Sequence, residues 1–156
     1  MYQRPLNEIK YIVIHHTASK ETASVNDIRR IHKGLGYSDI GYHFLVDRKG
    51  NKFVGRDINF NGAHTIGEKT GFERQKRYKN IVDINHKGIG ISLIGSYENH
   101  PPNNVMINET AYLIKKLCDK YSIPLNRDRV FGHKEVDYTA CPGKDTMKLI
   151  YEKLKI

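Results

Sequence analysis

Three short stretches of the chain place imidazoles beside residues that could share chemistry with them. They are His15-His16, Gly62-Ala63-His64, and the run from Gly132-His133 through Glu135 and Thr139 to Cys141-Pro142-Gly143. In the last, a His and a Cys sit in one irregular segment, far enough apart for the chain to curl and offer both to a single ion. Zinc takes neutral imidazole and thiolate together. With three protein ligands it keeps a fourth position for water, whose pKa it lowers to about 7, so such a set would serve hydrolysis rather than act as a structural staple. No His-Glu-x-x-His and no Cys-x-x-Cys is present. The same residues would also fit surface histidines and a buried thiol, and spacing alone leaves both readings open.

The elements that must position these residues follow from periodicity. Residues 9–16 read as a strand apolar on both faces, as in the middle of a covered sheet. Side chains alternate along a strand, so His15 and His16 point to opposite faces and only one can serve a given site. Ser24 with Asp27 resembles a capping box, and Val25, Ile28, Ile31 and Leu35 then recur at helical spacing up to Gly34 and Gly36. Residues 42–46 and 52–54 read as strands around a turn in which Gly50 can take positive φ. Residues 56–87 are polar, basic and Gly-containing, and read as loop with a helical turn near 74–78. A strand at 88–94 follows, then a helix at 107–121 with Ala111, Ile114, Leu117, Cys118 and Tyr121 on one stripe, which makes Cys118 a core residue. An edge strand at 129–131 and a helix at 145–154, with Met147, Ile150, Tyr151 and Leu154 facing inward, complete the pattern. The order β-α-β-β-β-α-β-α indicates an α/β fold, a sheet packed by helices.

Length and composition agree with a single domain over residues 1–156 and no separate wall-binding domain. The chain is 38% hydrophobic and 28% charged, ordinary for a globular protein and unlike a disordered or fibrous one. Its two cysteines are too few for a disulfide framework. The longest apolar run is far too short to span a bilayer, and the first ten residues lack the apolar stretch of an export signal. The net charge of +9 favours polyanionic partners: nucleic acid, anionic lipid or anionic wall polymers.

Five words of the sequence, taken in order, carry a more specific signal. They are Ile12-Val13-Ile14-His15-His16-Thr17, Gly41-Tyr42-His43-Phe44, Gly62-Ala63-His64, Asn85-His86-Lys87-Gly88-Ile89-Gly90, and Gly132-His133 followed by Ala140-Cys141-Pro142. Together they resemble the type 2 N-acetylmuramoyl-L-alanine amidases, a family that includes phage endolysins and the animal peptidoglycan recognition proteins. The resemblance implies a central mixed β-sheet flanked by helices, with a groove over one face and zinc at its floor. It carries the family's metal ligands onto His15, His133 and Cys141, leaving His16 behind the sheet. It places the catalytic tyrosine at Tyr42, with His43 structural, and sets Thr139 where many members have a lysine. It puts His64 and Asn85 on the groove wall as substrate-binding residues. Glu135 is a candidate to orient a ligand histidine.

The implied reaction is zinc-dependent hydrolysis of the amide between N-acetylmuramic acid and L-alanine in bacterial peptidoglycan. The expectation is a monomeric phage endolysin, held in the host cytoplasm until a holin admits it to the wall. Two other readings remain. One is a peptidoglycan sensor that binds without cutting, although such members typically lack the cysteine ligand. The other is a basic nucleic-acid-binding protein, suggested by Arg74, Lys76, Arg77, Lys79 and Lys87 with Phe72 and Tyr78 interleaved, but no nucleic-acid motif accompanies the patch. The loop 66–84 would contact anionic polymers or cover the groove, and the lysines of the last helix could meet an anionic membrane.

Overall fold

In the computed structural model, which describes residues 1–69 and 73–156, strand β1 (Tyr11–His16) is buried along its whole length. It lies inside a sheet with β2 (Phe44–Val46), β3 (Lys52–Val54), β4 (Gly88–Leu93) and β5 (Val130–Gly132). The five strands take the order β3-β2-β4-β1-β5. β1 runs parallel to β4 and β5, β2 runs parallel to β4, and only β3 is antiparallel to its neighbour. The mixed α/β sheet expected from the order of elements is therefore the one observed, with the 129–131 segment at an edge as β5.

Helices cover one face. Ile12 and Ile14 of β1 and Ile89, Ile91 and Leu93 of β4 meet α3 (Asn104–Tyr121) through Met106, Ala111, Ile114 and Cys118, and α4 (Thr146–Leu154) through Met147, Ile150 and Leu154. The stripes read from the sequence are the ones buried. β4 is two-faced for the same reason that a strand alternates: its three aliphatic side chains point to the helices, while Gly88, Gly90 and Ser92 point the other way, beside Tyr11, Val13 and His15. A slip of one residue would turn three aliphatic side chains away from the helices, forfeiting on the order of 6 kcal/mol, so the register is firmly set.

The opposite face is more open. α1 (Val25–Gly34) begins at a capping box, Asp27 N–H donating to Ser24 Oγ at 3.1 Å and Ser24 N–H to Asp27 Oδ2 at 2.8 Å. It packs through Ile28 against Leu45, Ile40 and Ile94. Ile31 and Leu35, expected on the same buried stripe, are 53% and 69% exposed. The reason is that α1 lies at the rim and only one of its turns meets the sheet. The inward position is taken instead by His32, one turn beyond Ile28, whose Nδ1 accepts from Gly41 N–H at 2.9 Å.

The β2–β3 turn is held by Asp47 Oδ1, which accepts from Lys49 and Asn51 N–H at 2.9 Å, with Gly50 at φ +83°. Within 56–87 a 3-10 turn forms at Lys76–Tyr78, as expected, but a one-turn helix α2 (Ile84–Lys87) is also present. Four residues are too few to show a helical period, so nothing in the sequence marked it. Among the described residues no helix is long and apolar enough to cross a membrane.

Candidate metal centre

β1 and β5 are parallel neighbours, Ile14 pairing with Gly132, so their C-terminal ends set His15 and His133 side by side. The rings stand 4.5 Å apart. The loop after His133 curls back, with Lys134 N–H donating to Cys141 O at 2.9 Å, and lays the Cys141 sulfur 3.8 Å from His15 Nδ1. One donor atom from each of His15, His133 and Cys141 falls within 4.8 Å of the others. His16, on the opposite face, is a structural residue: its Nδ1 accepts from Tyr97 N–H at 3.0 Å, and its own N–H donates to Cys141 Sγ at 3.3 Å.

The second nitrogen of each ligand imidazole is engaged. His15 Nε2 lies 3.0 Å from His64 Nδ1, and His133 Nε2 lies 2.6 Å from Asp137 Oδ2. That leaves Nδ1 of each ring to ligate, and His15 Nδ1 is the one that stands 3.8 Å from the Cys141 sulfur. The donor set fits zinc. With bond lengths of about 2.05 Å to nitrogen and 2.3 Å to sulfur, a tetrahedral ion separates such donors by about 3.6 Å, close to the His15–Cys141 distance. Zinc-bound histidines ordinarily donate their free N–H to an acceptor; the Asp137 carboxylate is one, and His64 Nδ1 is another in the tautomer that carries its proton on Nε2.

Burial shapes the charge of the metal-free site. The His15 pKa is pulled well below the ordinary imidazole range by burial and by the neighbouring His64 and His133, so the ring is neutral and ready to ligate. The Cys141 thiol is pushed up to about 12 by burial, with the His16 N–H working in the opposite direction. Zinc binds the thiolate, so each ion bound must release one thiol proton at any pH below that value. Zinc affinity is therefore expected to rise about tenfold per pH unit between pH 7.5 and 9.5, above the ordinary imidazole range. Competition titration against a chelator of known pH dependence measures it, and a flat profile would mean that the thiol is not a ligand.

Tyr42 stands just before β2 with its ring 5.2 Å from His15 and 5.2 Å from His32. Its hydroxyl is held protonated, its pKa raised by burial and then by the Cys141 sulfur, while the adjacent Ser92 works the other way. Thr139 is exposed, and its Oγ1 accepts from Cys141 N–H at 3.1 Å, leaving its own O–H free to donate. His43 points to the far side of Tyr42, where its Nδ1 accepts from Gly90 N–H at 3.0 Å.

The structure places His64 deep in the fold. It is 6% exposed and lies beneath His15, its ring fitted between two glycines. A Cβ on Gly90 would stand 2.6 Å from His64 Cδ2, and one on Gly62 would stand 2.3 Å from the same atom. Gly90→Ala is accordingly expected to cost about 1–3 kcal/mol by overpacking and to weaken zinc binding by displacing the ring that holds His15. Chemical denaturation with and without zinc tests this; an unchanged zinc-induced stabilisation would remove His64 from the centre. Asn85 is half-buried and lines a surface pocket with Thr65, Ile66 and His86, and its amide also braces the fold. Its Oδ1 accepts from His64 and Thr65 N–H at 3.0 and 3.1 Å, and its Nδ2 donates to Thr65 O at 2.7 Å.

The partner of His133 is Asp137 rather than Glu135, which is half-buried. Val136 and Asp137 N–H both return to His133 O, and this tight turn brings the fourth residue onward, not the second, over the ring. Both carboxylates lie on one loop after His133, and only the turn of that loop ranks them. The basic segment also differs from expectation. Tyr78 is buried, its ring 5.1 Å from Phe131, and offers no stacking face; Phe72 lies outside the described residues.

Comparisons with known proteins place this geometry. The model of the family described as N-acetylmuramoyl-L-alanine amidase matches residues 5–144. Peptidoglycan-recognition protein SC2 of Drosophila melanogaster is 31% identical over 145 residues, covering 88% of this chain and 70% of that protein. The endolysin of Escherichia phage T7 is 30% identical over 151 residues, covering 91% and 85%. Among solved structures, the N-acetylmuramoyl-L-alanine amidase LysC from Clostridium intestinale URNW superposes with a TM-score of 0.78 at 27% identity, over 100% of this chain and 93% of that one. With a family match across most of its length and the same fold in an amidase, the chain belongs to the N-acetylmuramoyl-L-alanine amidase family.

Proposed function

We propose that the protein is a zinc-dependent amidase that cuts bacterial peptidoglycan between N-acetylmuramic acid and L-alanine, in the manner of a phage endolysin. The observation that carries this reading is the convergence of His15, His133 and Cys141 within 4.8 Å, with the second nitrogen of each imidazole already engaged. These three residues would hold zinc through two Nδ1 atoms and one sulfur. When bound there, zinc supplies Lewis-acid polarisation of a carbonyl and lowers the pKa of water.

The chain's own groups then divide the remaining work. Tyr42, its ring beside His15, is placed to act as a hydrogen-bond donor to the oxygen on which negative charge develops. His32 steadies that ring from behind, and Gly41 holds His32. Thr139 can add a second donor from the exposed side; a hydroxyl brings no positive charge, so it stabilises an oxyanion less than a lysine would. His64 and Asp137 act on the ligands and not on substrate. A sensor that binds the wall without cutting it is the second reading, favoured by the similarity to a peptidoglycan-recognition protein.

Digestion of purified peptidoglycan by zinc-loaded and chelator-stripped protein separates the two. New L-alanine amino termini without new reducing sugars, dependent on zinc, are the expected result. Binding to the wall with neither product would sink the amidase reading in favour of the sensor.

A further inference from the structure

Asp137 is 3% exposed and surrounded by donors. Its carboxylate accepts from three successive backbone N–H groups, Ile66 at 2.8 Å, Gly67 at 2.5 Å and Glu68 at 2.8 Å, as well as from His133 Nε2. Consecutive amides converging on one carboxylate form an anion nest. The contact extends on both sides. Lys69 N–H donates to Val136 O at 3.0 Å, Lys69 Nζ to Lys134 O at 2.5 Å, and the Tyr138 hydroxyl to the Glu73 carboxylate. The described part of the loop after His64 is thus fastened to the segment that carries His133. At its start the same loop presents His64 to His15, latched by Asn85.

We propose that Asp137 is the positioning residue of the metal centre: with the 64–68 loop it forms one brace that sets the orientation of both ligand imidazoles before metal arrives. The proposal rests on the metal reading above, and it assigns the loop a role in metal affinity rather than in gripping substrate. A carboxylate anchored by three amides cannot swing with the imidazole it holds, so His133 is confined to the tautomer and rotamer that expose Nδ1. Loss of such a partner typically weakens metal binding by about 10–100-fold.

The test compares wild-type protein with Asp137→Asn, both stripped and titrated with zinc against a competing chelator at pH 7.5. The expected result is a 10–100-fold weaker zinc Kd in the variant, faster hydrogen exchange at the amides of residues 66–68, and recovery of amidase activity at saturating zinc. A folded variant that exchanges faster at 66–68 yet binds zinc within about twofold of wild type would show that Asp137 only fastens the loop, and would overturn the proposal. Should the variant not fold, nitrogen NMR of the metal-free wild type decides: His133 protonated at Nε2 supports the brace, and protonation at Nδ1 overturns it. Wild-type protein that binds no zinc removes the metal reading and this inference together, whereas tight wild-type binding with an unaffected variant removes this inference alone.

Discussion

Cys141→Ser is expected to lose zinc and activity together while keeping the fold. A serine hydroxyl remains protonated at neutral pH and is a far poorer zinc ligand than a thiolate. Since loss of a partner that merely orients a ligand costs about 10–100-fold, loss of the ligand itself should weaken binding by more than about 100-fold. Amidase kcat/KM should fall by about 1,000-fold or more, corresponding to several kcal/mol of transition-state stabilisation. The fold should tolerate the change because the sulfur's polar contacts, to His16 N–H at 3.3 Å and to His16 O and His15 Nδ1 at 3.8 Å, are ones a hydroxyl can also make. Metal content by elemental analysis, circular dichroism and the peptidoglycan assay together read the outcome. Full activity with a full complement of zinc in this variant would refute the assignment of Cys141.

Tyr42→Phe should separate chemistry from metal binding. The substitution removes only the hydroxyl, and the ring can keep its place between His15 and His32. Loss of one preorganised donor to an oxyanion costs about 100–1,000-fold in kcat, so kcat should fall by that factor while KM and zinc content stay near wild type. A variant with unchanged kcat would reduce Tyr42 to a packing residue.

Local pattern carried the architecture a long way. The aliphatic stripes of α3 and α4 and the doubly buried β1 follow from periods of 3.6 and 2, because those periods record which side of each element leaves water. The pairing of His15 with His16 on one strand also showed that a single histidine could face the site. Ordered motifs then pointed to His15, His133 and Cys141, and the structure brings their donor atoms together.

What lay beyond the sequence was every relation set by contact between distant segments. Which functional neighbours His15 meets depends on the register that places Gly90 and Ser92 beside β1 and clears room for His64, 49 residues away. His64 lies buried beneath His15 because that space exists, and the half-buried Asn85 latches the loop through its amide oxygen. Ile31 and Leu35 follow the helical period but remain exposed, since among the described residues α1 meets the sheet only through the turn that carries Ile28. Asp137 takes the place expected for Glu135 because a turn at His133 and three amides from residues 66–68 meet there. The sequence by itself determined most of the elements, the buried faces of β1, α3 and α4, and the residue types able to hold zinc, which depend on near neighbours along the chain. Only the tertiary structure decided which side chains support those ligands, because an acceptor is selected by distance in space and not by separation in sequence.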